Sequence, residues 1–199
     1  MRRTAEDAER TRLALLKAAL MAFDEKGWRG ATFEHVARRA GVTRGAVHHH
    51  FRSKVALLEQ ALAWGWEEYG ARIFATDGGE DGADGTLSSL LTNFVTLLRE
   101  EERFRALAAC TVLVAPRALD DTSEKNATID AWRAQIAAGI EGTAGASADA
   151  VAGLVLVLFQ GLTVTAATRP DDLPQPSELG ATIAALARGV ATRIESYSS

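Results

Sequence analysis

The stretch from Thr32 to Lys54, TFEHVARRAGVTRGAVHHHFRSK, leaves the chain little freedom in how it folds. Phe33, Val36, Ala37 and Ala40 recur at helical spacing behind Thr32, whose hydroxyl suits an N-cap. Gly41 follows the last of them and can take the left-handed backbone conformation that side chains resist, so the chain turns sharply there. Thr43 is placed to cap a second helix, from Arg44 to about Phe51, with Val47 and Phe51 on one face and Arg44, His48 and His49 outside it. Ala37 is small enough for the two helices to cross closely. Two short helices about a glycine turn, the second polar on its outer side, form a helix-turn-helix, the arrangement that puts a helix into a major groove.

Charge is divided along the chain in a way that fits this. The net charge of −4 separates into +5 for residues 1–60, which also hold all four histidines, and −9 for the remainder. A basic first third favours phosphate and an acidic remainder repels it. Hydrophobic residues make up 47% of the 199 residues, enough for a large core, and alanine, leucine and glutamate recur at helical intervals throughout, so an all-helical chain is expected. The single cysteine, Cys110, allows no intrachain disulfide. With no apolar run behind the N-terminal basic residues, the expected location is cytoplasmic.

Other segments read as helices that brace or control the motif. Residues 4–26 carry Leu13, Leu16, Leu20 and Phe23 on one stripe, with Gly27 as a stop and Arg2 and Arg3 ahead of it. Ser53 can cap a helix from Lys54 to about Ala75. That helix is apolar on two sides, through Val55, Leu58, Leu62, Trp66, Tyr69 and Ile73 and through Leu57, Ala61 and Trp64, as suits a connector. Residues 76–85, TDGGEDGADG, read as a loop. Leu87, Leu91, Phe94 and Leu98 mark a fifth helix. Phe104, Leu107, Ala108 and Thr111 mark a sixth that should stop by Pro116, and Ile129, Trp132, Ile136 and Ile140 a seventh that closes at the glycine-rich residues 139–147.

Residues 150–168 contain no charge, which is long enough to raise a membrane span. Gly153, Gln160, Gly161, Thr163, Thr165 and Thr168 dilute the run and no aromatic belt flanks it. A buried bundle helix or a subunit interface fits as well. Leu179, Ile183, Leu186, Val190 and Ile194 then give a last amphipathic helix. Two long apolar C-terminal helices suggest a dimer.

From Leu13 to Leu58 the chain resembles the TetR/AcrR transcriptional repressors, through the first-helix stripe, the block GWRGATFEHVARRAGVTRGAVHHHF and the SKVALL opening of the fourth helix. The resemblance implies a helix-turn-helix DNA-binding domain at residues 1–53 and a helical ligand-binding and dimerisation domain at 54–199. It implies a homodimer through the last two helices, a double-stranded DNA operator and a small-molecule effector, with no cofactor. Carried over by position, Thr43, Arg44 and Gly45 open the recognition helix, His48 and His49 face the groove, and His50 and Phe51 match a His-Phe pair in which Phe51 is core. Lys54 holds a phosphate, and Thr32 completes the DNA-facing set. His48 departs from the family, whose members carry a phosphate-bonding tyrosine there; a histidine has the shorter reach.

Several residues admit two readings. Arg44 can pair bidentately with guanine or bond a phosphate. His48, His49 and His50 point about 100° apart on a helix and cannot all converge on one metal ion, so no metal site is expected. Trp64, Trp66, Phe94, Phe104, Trp132 and Phe159 can line a pocket for a lipophilic or aromatic effector or can be plain core. Gln160, polar within an apolar helix, calls for a ligand or a second subunit as partner. Cys110 can face that pocket or be an inert buried thiol. No P-loop, GxSxG or HExxH is present, so an enzyme is not expected. The expected function is a ligand-released repressor on a palindromic operator. The alternatives are a DNA-binding regulator with no small-molecule ligand and a protein anchored in a membrane by residues 150–168.

Overall fold

The computed structural model describes residues 5–75, 83–119, 123–140 and 147–182. Among these the secondary structure is helical, in the order α1 (Ala5–Gly30), α2 (Phe33–Ala40), α3 (Arg44–His50), α4 (Lys54–Ile73), α5 (Ala83–Glu100), α6 (Glu102–Ala109), α7 (Ala115–Ala118), α8 (Ser123–Gly139) and α9 (Ala148–Thr168). The fold is all-α, as the periodicity predicts. Arg2 and Arg3, residues 76–82 and 141–146, and Ile183, Leu186, Val190 and Ile194 of the expected last helix lie outside the described residues. A helix does open at residues 176–182, with Leu179 buried.

The chain forms two compact units, each built from two stretches: Met1–Ala71 with Glu101–Asn126, and Arg72–Glu100 with Ala127–Ser199. In the first unit, Leu16, Leu20 and Phe23 of α1 are fully buried, and α6 packs along the same helix with Phe104, Ala106 and Leu107 buried in turn. Burying each such leucine or phenylalanine stabilises the unit by roughly 1.5–3 kcal/mol. Helix α4 buries Leu57 and Ala61 on one side and Leu58, Leu62 and Tyr69 on the other, matching the two-sided pattern, whereas Val55 is exposed. Between the two stripes lies Gly65, where a Cβ would meet Leu107 Cδ1 at 2.6 Å. A larger residue there would have to displace the Leu107 side chain, so glycine lets Leu107 of α6 pack directly on the α4 backbone.

Pro116 does not end the sixth helical segment. After Ala109 the chain makes a π-helical turn over Cys110–Val114 and continues through α7 to Ala118, with Pro116 in the first turn of α7. The wider turn bonds the Ala115 N–H to the Cys110 carbonyl. A proline in a first turn gives up no hydrogen bond, which removes the reason for the chain to stop.

In the second unit α5 packs on α9. Phe94 stacks on Phe159 with centroids 3.9 Å apart, and Trp132 meets Phe159 and Phe74 edge-on at 6.4 and 5.5 Å. The Asn93 amide donates to the Ile73 and Ala75 carbonyls at 3.2 and 2.8 Å, and so satisfies the end of α4. Helix α5 begins at Ala83, so the expected 76–85 loop ends earlier than its glycines suggest.

Helix α9 is not buried all round. Ala152, Val155, Phe159 and Thr163 form a buried stripe, with the Thr163 hydroxyl donating to the Phe159 carbonyl at 2.8 Å. On other sides Leu154 and Val157 are each 60% exposed and Leu158 44%. Helix α9 is the one helix among the described residues that is long and apolar enough to cross a membrane.

Candidate nucleic-acid interface

Local chemistry builds the α2–turn–α3 motif as its residue types dictate. The Thr32 hydroxyl accepts from the His35 N–H at 3.2 Å, and the Thr43 hydroxyl from the Ala46 N–H at 3.3 Å. Each cap satisfies one orphan donor and contributes about 1 kcal/mol. Gly41 takes φ 68°, ψ 28°. Its N–H bonds the Arg38 carbonyl at 3.2 Å and the Val42 N–H bonds the Ala37 carbonyl at 3.0 Å, the paired bonds of a Schellman ending.

Val36, Ala37, Val47 and Phe51 close the inside of the motif. That leaves Thr43, Arg44, Gly45, His48, His49 and Arg52 exposed, with His50 half-buried. Arg44 and His48 are four residues apart and share one side of α3, and Arg52 follows the end of the helix. No acidic residue lies between Arg44 and Lys54 to neutralise the arginines. A Cβ added at exposed Gly45 would meet only Thr43 Oγ1, at 3.8 Å, so backbone is open to a ligand there. The His48 ring packs edge-on against Phe33 at 4.9 Å, which orients it from α2. On α2, Arg39 is held by both carboxylate oxygens of Glu25 at 2.7 and 2.8 Å, and Arg38 lies 2.9 Å from His35 Nδ1, which must be the acceptor.

Lys54 sits differently from an outward-facing cation. It is half-buried, its ammonium donates to the Trp28 carbonyl at 2.5 Å, and it lies 4.3 Å from the Trp28 ring centroid. Burial lowers its pKa.

The residues named for an effector fall into the two units. In the first, Lys17 covers the Trp64 ring at 5.5 Å, and the Trp66 indole donates to the Thr111 hydroxyl at 3.0 Å while meeting Phe104 edge-on. The Cys110 thiol is fully buried and donates to the Leu20 carbonyl at 3.4 Å; burial pushes its pKa far up, and the Asp24 charge adds to that, as in an inert thiol. In the second, Phe94, Trp132 and Phe159 pack on one another. Gln160 is exposed beside Leu158 and Gly161, so the premise that it needs a partner inside the bundle does not hold within one chain.

Sequence reasoning passed over Lys17, Trp28 and Gly65, and also Arg133, whose guanidinium bonds Asp149 at 2.6 Å and lies against Gly153. Pairs this far apart along the chain leave no periodic signal. The glycine between two tryptophans at 64–66 is the one local hint.

Residues 15–61 match the family model described as bacterial regulatory proteins, tetR family. Over 62 residues the chain is 48% identical to the HTH-type transcriptional regulator SrpR of Pseudomonas putida, covering 31% of this chain and 29% of that one. It is 42% identical over 62 residues to the HTH-type transcriptional repressor BepR of Brucella suis, covering 31% of this chain and 30% of that one. The matched region thus spans less than a third of either relative. Along most of its length the fold resembles a crystal structure of a transcriptional regulator from Rhodococcus sp. Rha1, with TM-score 0.70 and 26% identity over 94% of this chain and 97% of that one. It also resembles NalD, the secondary repressor of the MexAB-OprM multidrug efflux pump in Pseudomonas aeruginosa, with TM-score 0.68 and 23% identity over 92% and 96%. Residues 15–61 thus match the tetR family of bacterial regulatory proteins, and the fold as a whole resembles that of a solved transcriptional regulator.

Proposed function

We propose that this protein is a homodimeric transcriptional repressor that binds a palindromic DNA operator and is released by a small lipophilic or aromatic effector. The observation that carries the DNA half is the outward face of α3. Arg44, His48 and His49 stand exposed on a helix capped by Thr43 and anchored by buried Val47, and exposed Arg52 follows its end. Arginine charge and imidazole N–H groups on a helix with no acidic neighbour suit the phosphates and base edges of a major groove. Residues 1–53 supply this function and residues 54–199 the control and the pairing.

The exposed apolar side of α9 supports dimerisation. Leu154, Val157, Leu158 and Gly161 recur on one face, and a Cβ at Gly161 would meet nothing within 4 Å, so a second copy of α9 can approach closely. Of the other helix of the expected pair, residues 183–199 lie outside the described residues. A two-fold dimer demands a two-fold operator. For the effector, the support is chemical. Within the second unit the rings of Phe94, Trp132 and Phe159 lie together and suit a flat apolar molecule, and structural relatives include NalD, a repressor of a multidrug efflux pump. Release requires that the effector bind the DNA-incompetent state better than the competent one.

Arg44→Ala tests the assignment. In a gel shift with a duplex selected from a randomised library by the wild-type protein, this variant should bind weakly while running as an intact dimer in size-exclusion chromatography. Unchanged affinity would remove α3 as the reading helix.

A further inference from the structure

We propose that Glu25 is a positioning residue of the DNA-binding face: through Arg39 it fixes the rotation of α2, and with it the seating of α3 and of the His48 ring. This rests on the DNA-binding reading above. Helix α2 is eight residues long and buries Val36 and Ala37, with Phe33, His35 and Ala40 half-buried. Two small apolar side chains hold a helix against its neighbours but resist rotation about its own axis weakly, because apolar contact is non-directional. Hydrogen bonds supply direction. The Thr32 cap closes on the His35 N–H of α2 itself, so it does not tie the helix to anything outside. Near the other end, Nη1 of Arg39 lies between both carboxylate oxygens of Glu25 on α1, at 2.7 and 2.8 Å. A charge-assisted bond this short is both strong and directional.

The setting of α2 is passed to α3 at short range. Gly41, Val42 and Thr43 alone separate the two helices, and the Val42 N–H bonds back to the Ala37 carbonyl at 3.0 Å. Phe33 of α2 holds the His48 ring edge-on at 4.9 Å. A turn of α2 about its axis therefore moves both the start of α3 and one of the side chains that α3 presents. The ion pair itself is open to solvent, with Arg39 33% and Glu25 40% exposed, so it contributes little to the stability of the fold. Its effect is on docking, because a face held in register loses less on specific binding, whereas charge-driven contact with any duplex needs no register. The neighbouring acid provides a contrast. Asp24 lies in the field of Arg105 on α6, and burial first and the Glu25 charge next raise its pKa, so the fold gives up little when Asp24 is neutral.

The test uses the full-length protein, with the duplex selected by the wild-type protein and a random-sequence duplex as probes. Electrostatics alone predict that Glu25→Gln, which removes a negative charge and releases Arg39, tightens binding to both. The positioning role predicts the opposite sign on the selected duplex: roughly tenfold weaker binding by the dimer, about threefold for each subunit. The random duplex should be bound at least as well as by the wild type. Arg39→Glu alone should weaken selected binding, and Glu25→Arg with Arg39→Glu, which restores the pair at unchanged net charge, should recover most of the loss. Asp24→Asn makes the same change in charge one residue away and should bind the selected duplex as the wild type does. Melting temperatures should change little throughout. Unchanged or tighter selected binding by Glu25→Gln, equal losses on both duplexes, an equal loss in Asp24→Asn, or a charge swap no better than Arg39→Glu alone would each overturn the proposal. A melting temperature that falls in step with affinity would make Glu25 merely structural and would overturn it as well. Failure of the unsubstituted protein to select any duplex would overturn the DNA-binding reading and this proposal together, and would be seen before Glu25 is altered.

Discussion

Helices α3 and α9 each turn side chains to solvent that a lone folded chain does not use, and their chemistry is opposite. On α3 the exposed set is Arg44, His48 and His49, and on α9 it is Leu154, Val157 and Leu158. An exposed arginine and polar imidazoles cost little in water, and the arginine gains when it displaces counter-ions from phosphates, so α3 is suited to a partner met reversibly and in a salt-dependent way. Exposed leucine and valine cost the molecule something until they are covered, so α9 is suited to a lasting partner of the same kind. On the proposed reading, one face addresses the nucleic acid and the other sets how many copies address it.

Substitutions can break the two faces separately. The largest effect is expected from Val157→Glu with Leu158→Glu, which places charge on the apolar face and removes burial of roughly 1.5–3 kcal/mol per side chain in each subunit. Light scattering should show monomer, and operator binding should fall with it, while the melting temperature of the monomer fold changes little because both side chains are exposed there. Arg44→Ala is expected to cost about 1–3 kcal/mol at each half-site with the dimer unaffected, as read from anisotropy titrations. Gly41→Val forces a branched side chain into the left-handed region at about 1–2 kcal/mol, which should appear as a lower denaturation midpoint and weaker DNA binding. The smallest change is His48→Tyr, which lengthens the reach to a phosphate; a gain near 1 kcal/mol in affinity is expected, and a loss would mean that the His48 edge on Phe33 matters more than the contact.

The legibility of the sequence followed how local each signal was. Thr32, Gly41 and Thr43 act through hydrogen bonds to residues at most four positions away, so the motif could be read from spacing alone. Periodicity located the buried stripes of α1 and α4 for the same reason. It could not orient α9, because a run of apolar residues offers no contrast between faces, and only packing against Phe94 selects Phe159 for the inside and leaves Gln160 outside. Pro116 misled because its meaning depends on the π-turn before it. Lys54 read as an outward cation by position in a motif, whereas its partner, Trp28, lies 26 residues away. The interleaving of the compact units was equally hidden, since residues 101–126 join the first unit through tertiary packing and not through sequence order.

The central claim is that two copies of α3, paired through α9, read one duplex. A hydroxyl-radical footprint of the wild-type protein on its selected duplex tests this most directly. Two protected patches related by a dyad, about 34 Å apart or a multiple of it, are predicted. A single patch, or protection with no two-fold relation, would contradict the account.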